Sequence, residues 1–230
     1  MATGARVAQM HGHTDDVLCV AALPGGLLAS GSDDSTVRLW DSATGAHVAA
    51  LEGHEGTVYA LAALRLASGS FDNTVRLWDV ATRACTAVLQ HENRVYALAA
   101  LDGGRLAAGC DDHKVHIRAL AGRAREAVLE GHTDNVTALA VLPNGLLASG
   151  SNDETARVWD VGARACVAVV REHTGSVHAL AALPDGRLAS GSGHNGVIRV
   201  EALCAPGSAK DHAAAADAAC SRVVGAAPVK

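Results

Sequence analysis

At 230 residues, 49% of them hydrophobic, the chain is long enough to bury a sizeable core, and its net charge of −5 without any Lys/Arg cluster argues against a nucleic-acid footprint. No apolar run approaches the roughly 20 residues needed to span a bilayer, and residues 1–6 lack the apolar core of a signal peptide. The six cysteines show no C-x-x-C spacing and read as reduced thiols, so a cytoplasmic or nuclear protein is expected.

The chain opens with residues 2–13, ATGARVAQMHGH, which match residues 43–54, ATGAHVAALEGH, place for place. An apolar run follows at 17–23 and is stopped by Pro24, Gly25 and Gly26. Residues 27–32 form a second predicted strand, 33–35 a turn, 36–40 a third strand, 42–45 another turn and 46–51 a fourth strand. Short apolar runs between Gly, Pro, Asp and Ser clusters signal strands joined by tight turns. The first run is apolar at both parities and needs cover on both faces. The fourth is mixed, as an outer strand is.

The wording then repeats. LASGSDDSTVRLWD at 28–41 returns as LASGSFDNTVRLWD at 66–79 and LASGSNDETARVWD at 147–160. His13, His54, His91, His132 and His173 are separated by 41, 37, 41 and 41 residues. Unit two is three residues shorter at its first turn, where Leu64 runs into Arg65 and Leu66. Unit three keeps His91 and Asp112 but has Cys110 in a serine place and Arg118 in the tryptophan place. Unit five keeps His173 and Ser192, has Glu201 in the tryptophan place and shows no clear fourth strand.

A period near 40, opened by Gly-His and closed by Trp-Asp, marks one four-stranded blade of a β-propeller. The expected fold is all-β: a propeller over 2–203 of five four-stranded antiparallel blades, with units near 13–51, 54–89, 91–129, 132–170 and 173–203. The segment 5–10 reads as a fourth-type strand without a blade of its own. Its pairing with the last, three-stranded unit is expected to close the ring and hide two sheet edges; membership of a longer array is the alternative. Residues 204–230 form an Ala-rich tail, for which a short helix over 209–221 and disorder are both open.

These units resemble the WD-repeat β-propeller family over residues 2–203. The resemblance implies a hydrogen-bonded tetrad in each complete blade: Trp40, Ser32, His13 and Asp34; Trp78, Ser70, His54 and Asp72; Trp159, Ser151, His132 and Asp153. An indole, a hydroxyl, an imidazole and a carboxylate satisfy one another when buried, where each alone costs about 1–3 kcal/mol. The resemblance also implies a non-enzymatic scaffold or adaptor for other proteins or peptides, monomeric, with no cofactor, metal, nucleic acid or membrane. Such propellers often carry more blades than five. The second reading is therefore a structural module of a larger, seven-bladed protein, such as a ubiquitin-ligase substrate receptor or a signalling scaffold.

Other chemistries are set aside on the residues. Ser, His and Asp recur with Trp in three units and no G-x-S-x-G elbow occurs, so a hydrolase triad is not expected. Residues 191–196, GSGHNG, fit G-x-G-x-x-G but lead into the strand-like VIRV, so they read as a hairpin turn. His11 with His13, and His113 with His116, lack a converging Cys or carboxylate and are not read as metal ligands. Arg38, Arg76 and Arg157 are expected to face outward between blades or to pair with acids.

The aromatic residues are few: three Trp, two Tyr and one Phe. The Trp residues belong to the tetrads. Tyr59 and Tyr96 hold one place in their units, just after the Val that opens the first strand; Leu18, Thr137 and His178 hold it elsewhere. Phe71 lies in the turn before Asp72, where Asp33, Asp111 and Asn152 stand in other units. All are expected on one face, at the mouth of the central channel. Rigid aromatics supply contact area at low entropy cost. The candidate partner surface is therefore Leu18, Tyr59, Phe71, Arg94, Tyr96, Asp111, Thr137, Asn152 and His178. Asp16, Asp33 and Asn135 border it, favouring a basic or amphipathic ligand.

Overall fold

The structure is a computed structural model and describes residues 8–63, 65–122, 125–193 and 196–202. It is an all-β, five-bladed propeller of antiparallel sheets, with no helix among the described residues. Blade 1 comprises β1 (Val17–Leu23), β2 (Leu27–Ser32), β3 (Val37–Asp41) and β4 (His47–Leu51). Blade 2 comprises β5 (Val58–Ala62), β6 (Ala67–Ser70), β7 (Thr74–Asp79) and β8 (Ala84–Gln90). Blade 3 comprises β9 (Val95–Leu101), β10 (Arg105–Cys110), β11 (Val115–Ala119) and β12 (Arg125–Leu129). Blade 4 comprises β13 (Val136–Val141), β14 (Leu147–Ser151), β15 (Ala156–Asp160) and β16 (Ala165–Val170). Blade 5 shows three strands among the described residues: β17 (Val177–Ala182), β18 (Leu188–Ser192) and β19 (Ile198–Glu201).

Small residues let the blades approach. The second strands, LASGS and its variants, are the most buried elements and carry Ala, Ser and Gly. A Cβ on Gly31, Gly69, Gly109 or Gly150 would stand 2.6, 2.6, 2.8 or 2.7 Å from Cγ1 of Val58, Val95, Val136 or Val177. Each of those valines opens the inner strand of the next blade and is fully buried. The Gly-His loop makes a second close approach. Gly53 and Gly131 adopt φ of 140° and 153°, and a Cβ there would meet the Arg76 or Arg157 guanidinium at 2.8 or 2.7 Å. Arg38, Arg76 and Arg157 thus lie against the glycine of the loop entering their own blade and beside that blade's outer strand, and no acidic partner joins them among the described residues.

The Gly–Val step is not repeated between blade 5 and blade 1. The nearest atom to a Cβ on Gly191 is Ala179 Cβ, in its own blade, at 3.5 Å. Val17, the counterpart of Val58, is 51% exposed, and Val20 is 73% exposed. On blade 5, Ile198 and Val200 are 77% and 48% exposed, although their counterparts Val37 and Leu39 are fully buried. Half of the expected closing strand 5–10, residues 5–7, lies outside the described residues, and 8–10 form no strand. Those three residues lie on blade 1: a Cβ on Gly45, in the β3–β4 turn, would stand 2.8 Å from Ala8 Cβ. In blade 4 the matching turn reaches back to β12 through Arg164 Nη2, which donates to the Glu126 carbonyl at 2.8 Å. Residues 8–10 thus seat on blade 1 much as β12 seats on blade 4. The tail 204–230 also lies outside the described residues.

Candidate functional site

Three blades carry a complete tetrad, and its serine is two residues earlier than expected. In blade 1 the Trp40 indole N–H donates to Ser30 Oγ at 2.7 Å, Ser30 meets His13 Nε2 at 2.7 Å, and His13 Nδ1 meets Asp34 Oδ2 at 2.7 Å. Blade 2 repeats this with Trp78, Ser68, His54 and Asp72 at 2.8, 2.7 and 2.7 Å. Blade 4 uses Trp159, Ser149, His132 and Asp153 at 2.8, 2.7 and 2.8 Å. Strand register explains the correction. Ser30 opposes Arg38, so it is the diagonal neighbour of Trp40 on the same face. Ser32, Ser70 and Ser151 sit at the strand end, where each accepts the N–H of Asp34, Asp72 or Asp153 at 3.1 Å and donates to a carbonyl of the preceding loop.

Each serine hydroxyl has one proton and already accepts from the indole. It therefore donates to Nε2, which leaves Nδ1–H to donate to the carboxylate. Burial lowers the His54 pKa, against the raising effect of Asp72, which fits a neutral ring. Burial would raise the Asp34 carboxyl, but the Thr36 hydroxyl, His13 and two backbone N–H groups hold it well below the usual carboxylate range. The Asp34 side chain also builds the β2–β3 turn: Oδ1 accepts Thr36 N–H at 2.9 Å, with Ser35 between them at a φ of 65°. With every polar group bonded in this way, the tetrad is a structural lock.

The candidate partner surface starts from a bulge. In each inner strand the pairing register slips at one residue: Leu18, Tyr59, Tyr96, Thr137 and His178. A bulge re-aims the extra side chain away from the regular pleat. One hydrogen bond per blade then brings the β2–β3-type turn to the same end of the strands: Asp33, Phe71, Asp111, Asn152 and Gly193 donate their N–H to the carbonyls of Asp16, Thr57, Arg94, Asn135 and Ser176 at 3.0–3.1 Å.

At that end Tyr59, Phe71 and Tyr96 form one cluster across blades 2 and 3. Tyr59 stacks on Phe71 with centroids 5.1 Å apart and planes 10° apart. Tyr96 meets both rings edge-on, at 5.5 and 5.0 Å. The Arg94 guanidinium lies 5.2 Å from the Phe71 centroid. The Tyr96 hydroxyl donates to Asp111 Oδ1 at 3.2 Å and accepts from Asn135 Nδ2 at 3.5 Å, which extends the group to blade 4. Burial and then Asp111 raise the Tyr96 phenol, so it stays protonated. Tyr59 is 37% exposed.

The other candidates do not join this cluster. Thr137 spends its hydroxyl on the Val177 carbonyl at 2.7 Å, a bond between blades. Leu18 and His178 are exposed on blades 1 and 5, and no ring contact or hydrogen bond links them to the three rings among the described residues. Asn152 is partly buried and its Oδ1 is unpartnered. Asp15, Asp16 and Asp33 place exposed carboxylate oxygens within 4.8 Å of one another at blade 1, which makes this end acidic.

One grouping was missed. His116 converges with Cys110 and Asp112, the Cys and carboxylate that the spacing of His113 and His116 did not reveal. The usable signal was Cys110 and His116 standing in the Ser32 and Arg38 places.

Comparison with known proteins agrees with this geometry. The family model for "WD domain, G-beta repeat" matches residues 4–41, 45–79, 83–118, 124–160 and 164–200, and the last four begin at the outer strand of the preceding blade. A 55-residue segment is 44% identical to WD repeat-containing protein pop1 of Schizosaccharomyces pombe; it covers 24% of this chain and only 7% of that relative. With the repeat model spanning most of its length, the chain belongs to the WD-repeat family.

Proposed function

We propose that the chain is a non-enzymatic adaptor that holds a basic or amphipathic segment of another protein against Tyr59, Phe71 and Tyr96. WD-repeat propellers generally mediate protein–protein interaction. The observation that carries the reading is the three-ring cluster at the bulge end. The non-tetrad aromatics meet there, one ring is more than a third exposed, and a cation already lies over another. The carboxylates of Asp15, Asp16 and Asp33 supply the charge preference. Comparative affinity capture tests it: wild type should retain proteins that a folded Tyr59→Ala/Phe71→Ala/Tyr96→Ala chain loses. Unchanged capture by the folded triple variant refutes the site.

A second reading, a module of a larger propeller, is favoured by the unpacked Val17–Gly191 junction and the bared Ile198 and Val200. Core-type residues exposed on two facing ends suit further blades between them. Supplying such blades on a longer chain should raise the melting temperature and protect β1 and β19 amides from exchange. No change in either would reject this reading.

A further inference from the structure

Blade 3 departs from the tetrad at every member but two. Ala108 stands in the Ser30 place, Arg118 in the Trp40 place, Lys114 in the Thr36 place and His116 in the Arg38 place. His91 and Asp112 remain, and they no longer bond each other. Asp112 Oδ2 instead meets His116 Nε2 at 2.9 Å. Cys110 Sγ lies 3.7 Å from His91 Nδ1, and the two imidazoles meet edge-on with centroids 5.6 Å apart. The donor atoms of Cys110, Asp112 and His116 all lie within 4.8 Å of one another.

The site is buried and short of partners. Cys110, His91 and His116 are 1%, 7% and 5% exposed. Each imidazole keeps one nitrogen without a hydrogen-bond partner, His91 Nε2 and His116 Nδ1. In the three complete tetrads each histidine has a partner at both nitrogens. Ala108 removes the serine hydroxyl that meets Nε2 in the complete tetrads, which accounts for His91 Nε2; the buried, unpartnered His116 Nδ1 has no such reason.

We propose that Cys110, Asp112 and His116, with His91 as the fourth donor, bind a divalent cation of the zinc class. The donor set is one sulfur, one oxygen and two imidazoles, which suits a tetrahedral ion of borderline softness. The 3.7 Å Sγ to Nδ1 separation is close to that of two ligands on one tetrahedral centre, given bonds of roughly 2.3 and 2.0 Å. A thiolate and a carboxylate together neutralise a 2+ ion. Arg118, in the tryptophan place, directs its Nη2 to the Gln90 carbonyl at 2.6 Å. Asp112 lies in the partly exposed β10–β11 turn and opens a route from solvent.

Proton balance follows. Cys110 binds a metal as its thiolate, so metal binding releases one proton from the thiol.

Cobalt(II) titration of the full chain, reduced and stripped with chelator, tests the site. One equivalent per chain should produce a thiolate-to-cobalt charge-transfer absorption, and zinc should displace it. Cys110→Ser should abolish the band while Cys19→Ser keeps it. Asp112→Asn and His116→Asn should keep the thiolate but weaken binding by more than the roughly 10–100-fold typical of an outer-shell loss. Circular dichroism should show all variants folded; should Cys110→Ser unfold, the Asp112 and His116 variants decide. Absence of the band in wild type, its survival in folded Cys110→Ser, or unchanged affinity in both other variants overturns the proposal.

Discussion

A Cβ on Gly150 would stand 2.7 Å from Val177 Cγ1, so glycine at this place lets blade 5 close on blade 4. At Gly191 the same construction meets only Ala179 at 3.5 Å, an ordinary contact. Gly150→Ala should therefore destabilise the chain by about 1–3 kcal/mol through overpacking. Gly191→Ala should be neutral, or stabilising by up to about 1 kcal/mol through the unfolded state. Thermal denaturation of the two variants checks this, and equal losses would mean that blade 1 packs on blade 5 in solution.

The corrected serine separates two hydroxyls of one strand type. Ser68→Ala strands both the Trp78 indole and His54 and should cost about 1–3 kcal/mol. Ser192 in blade 5 is buried with an unpartnered Oγ, so Ser192→Ala should be neutral or stabilising. Chemical denaturation of the pair is the test, and the opposite order would undo the assignment.

Acid sensitivity has a stated sign. The His54 pKa is lowered in the fold by burial, so the unfolded chain binds more protons below the ordinary histidine value of 6.5. His173 is lowered too, by burial and then Arg199. Stability contributed by these neutral rings is present above 6.5 and is lost as pH falls toward their folded values. Burial raises Asp72 but the Thr74 hydroxyl and His54 outweigh it, so its contribution is lost at still lower pH, below the ordinary 3.8. The denaturation midpoint should hold above pH 6.5 and decline stepwise below it. A midpoint that rises on acidification from neutral pH would contradict the tetrad chemistry.

The repeat wording made the blades legible. Strands expected at 17–23 and 27–32 are β1 and β2 as observed, because Pro24, Gly25 and Gly26 break the chain between two apolar runs. His, Asp and Trp of each tetrad were legible too. Ser30 was not separable from Ser32, since both lie on one face of β2 and only pairing with β3 places Trp40 beside the first. The aromatic cluster could be read from shared places in the repeat, whereas its contact across blades needed the Gly69–Val95 step. The match of 2–13 to 43–54 suggested a fourth-type strand completing the last unit, but residues 5–7 of it lie outside the described residues and 8–10 sit against the blade 1 turn, since no sequence match states which sheet such a segment joins. Blade 3 read as a degraded copy. Its Cys110 and His116 converge only because alternation in β10 and β11 turns both toward the Asp112 turn.

Tyr59 and Val88 make a controlled comparison, since they are 37% and 39% exposed and both belong to blade 2. Tyr59 sits on the inner-strand bulge and Val88 on outer strand β8. A photoreactive phenylalanine analogue at residue 59 should crosslink a discrete partner protein from cell extract, and the same analogue at residue 88 should not. Equal adducts at both positions, or adducts at 88 alone, would contradict the account.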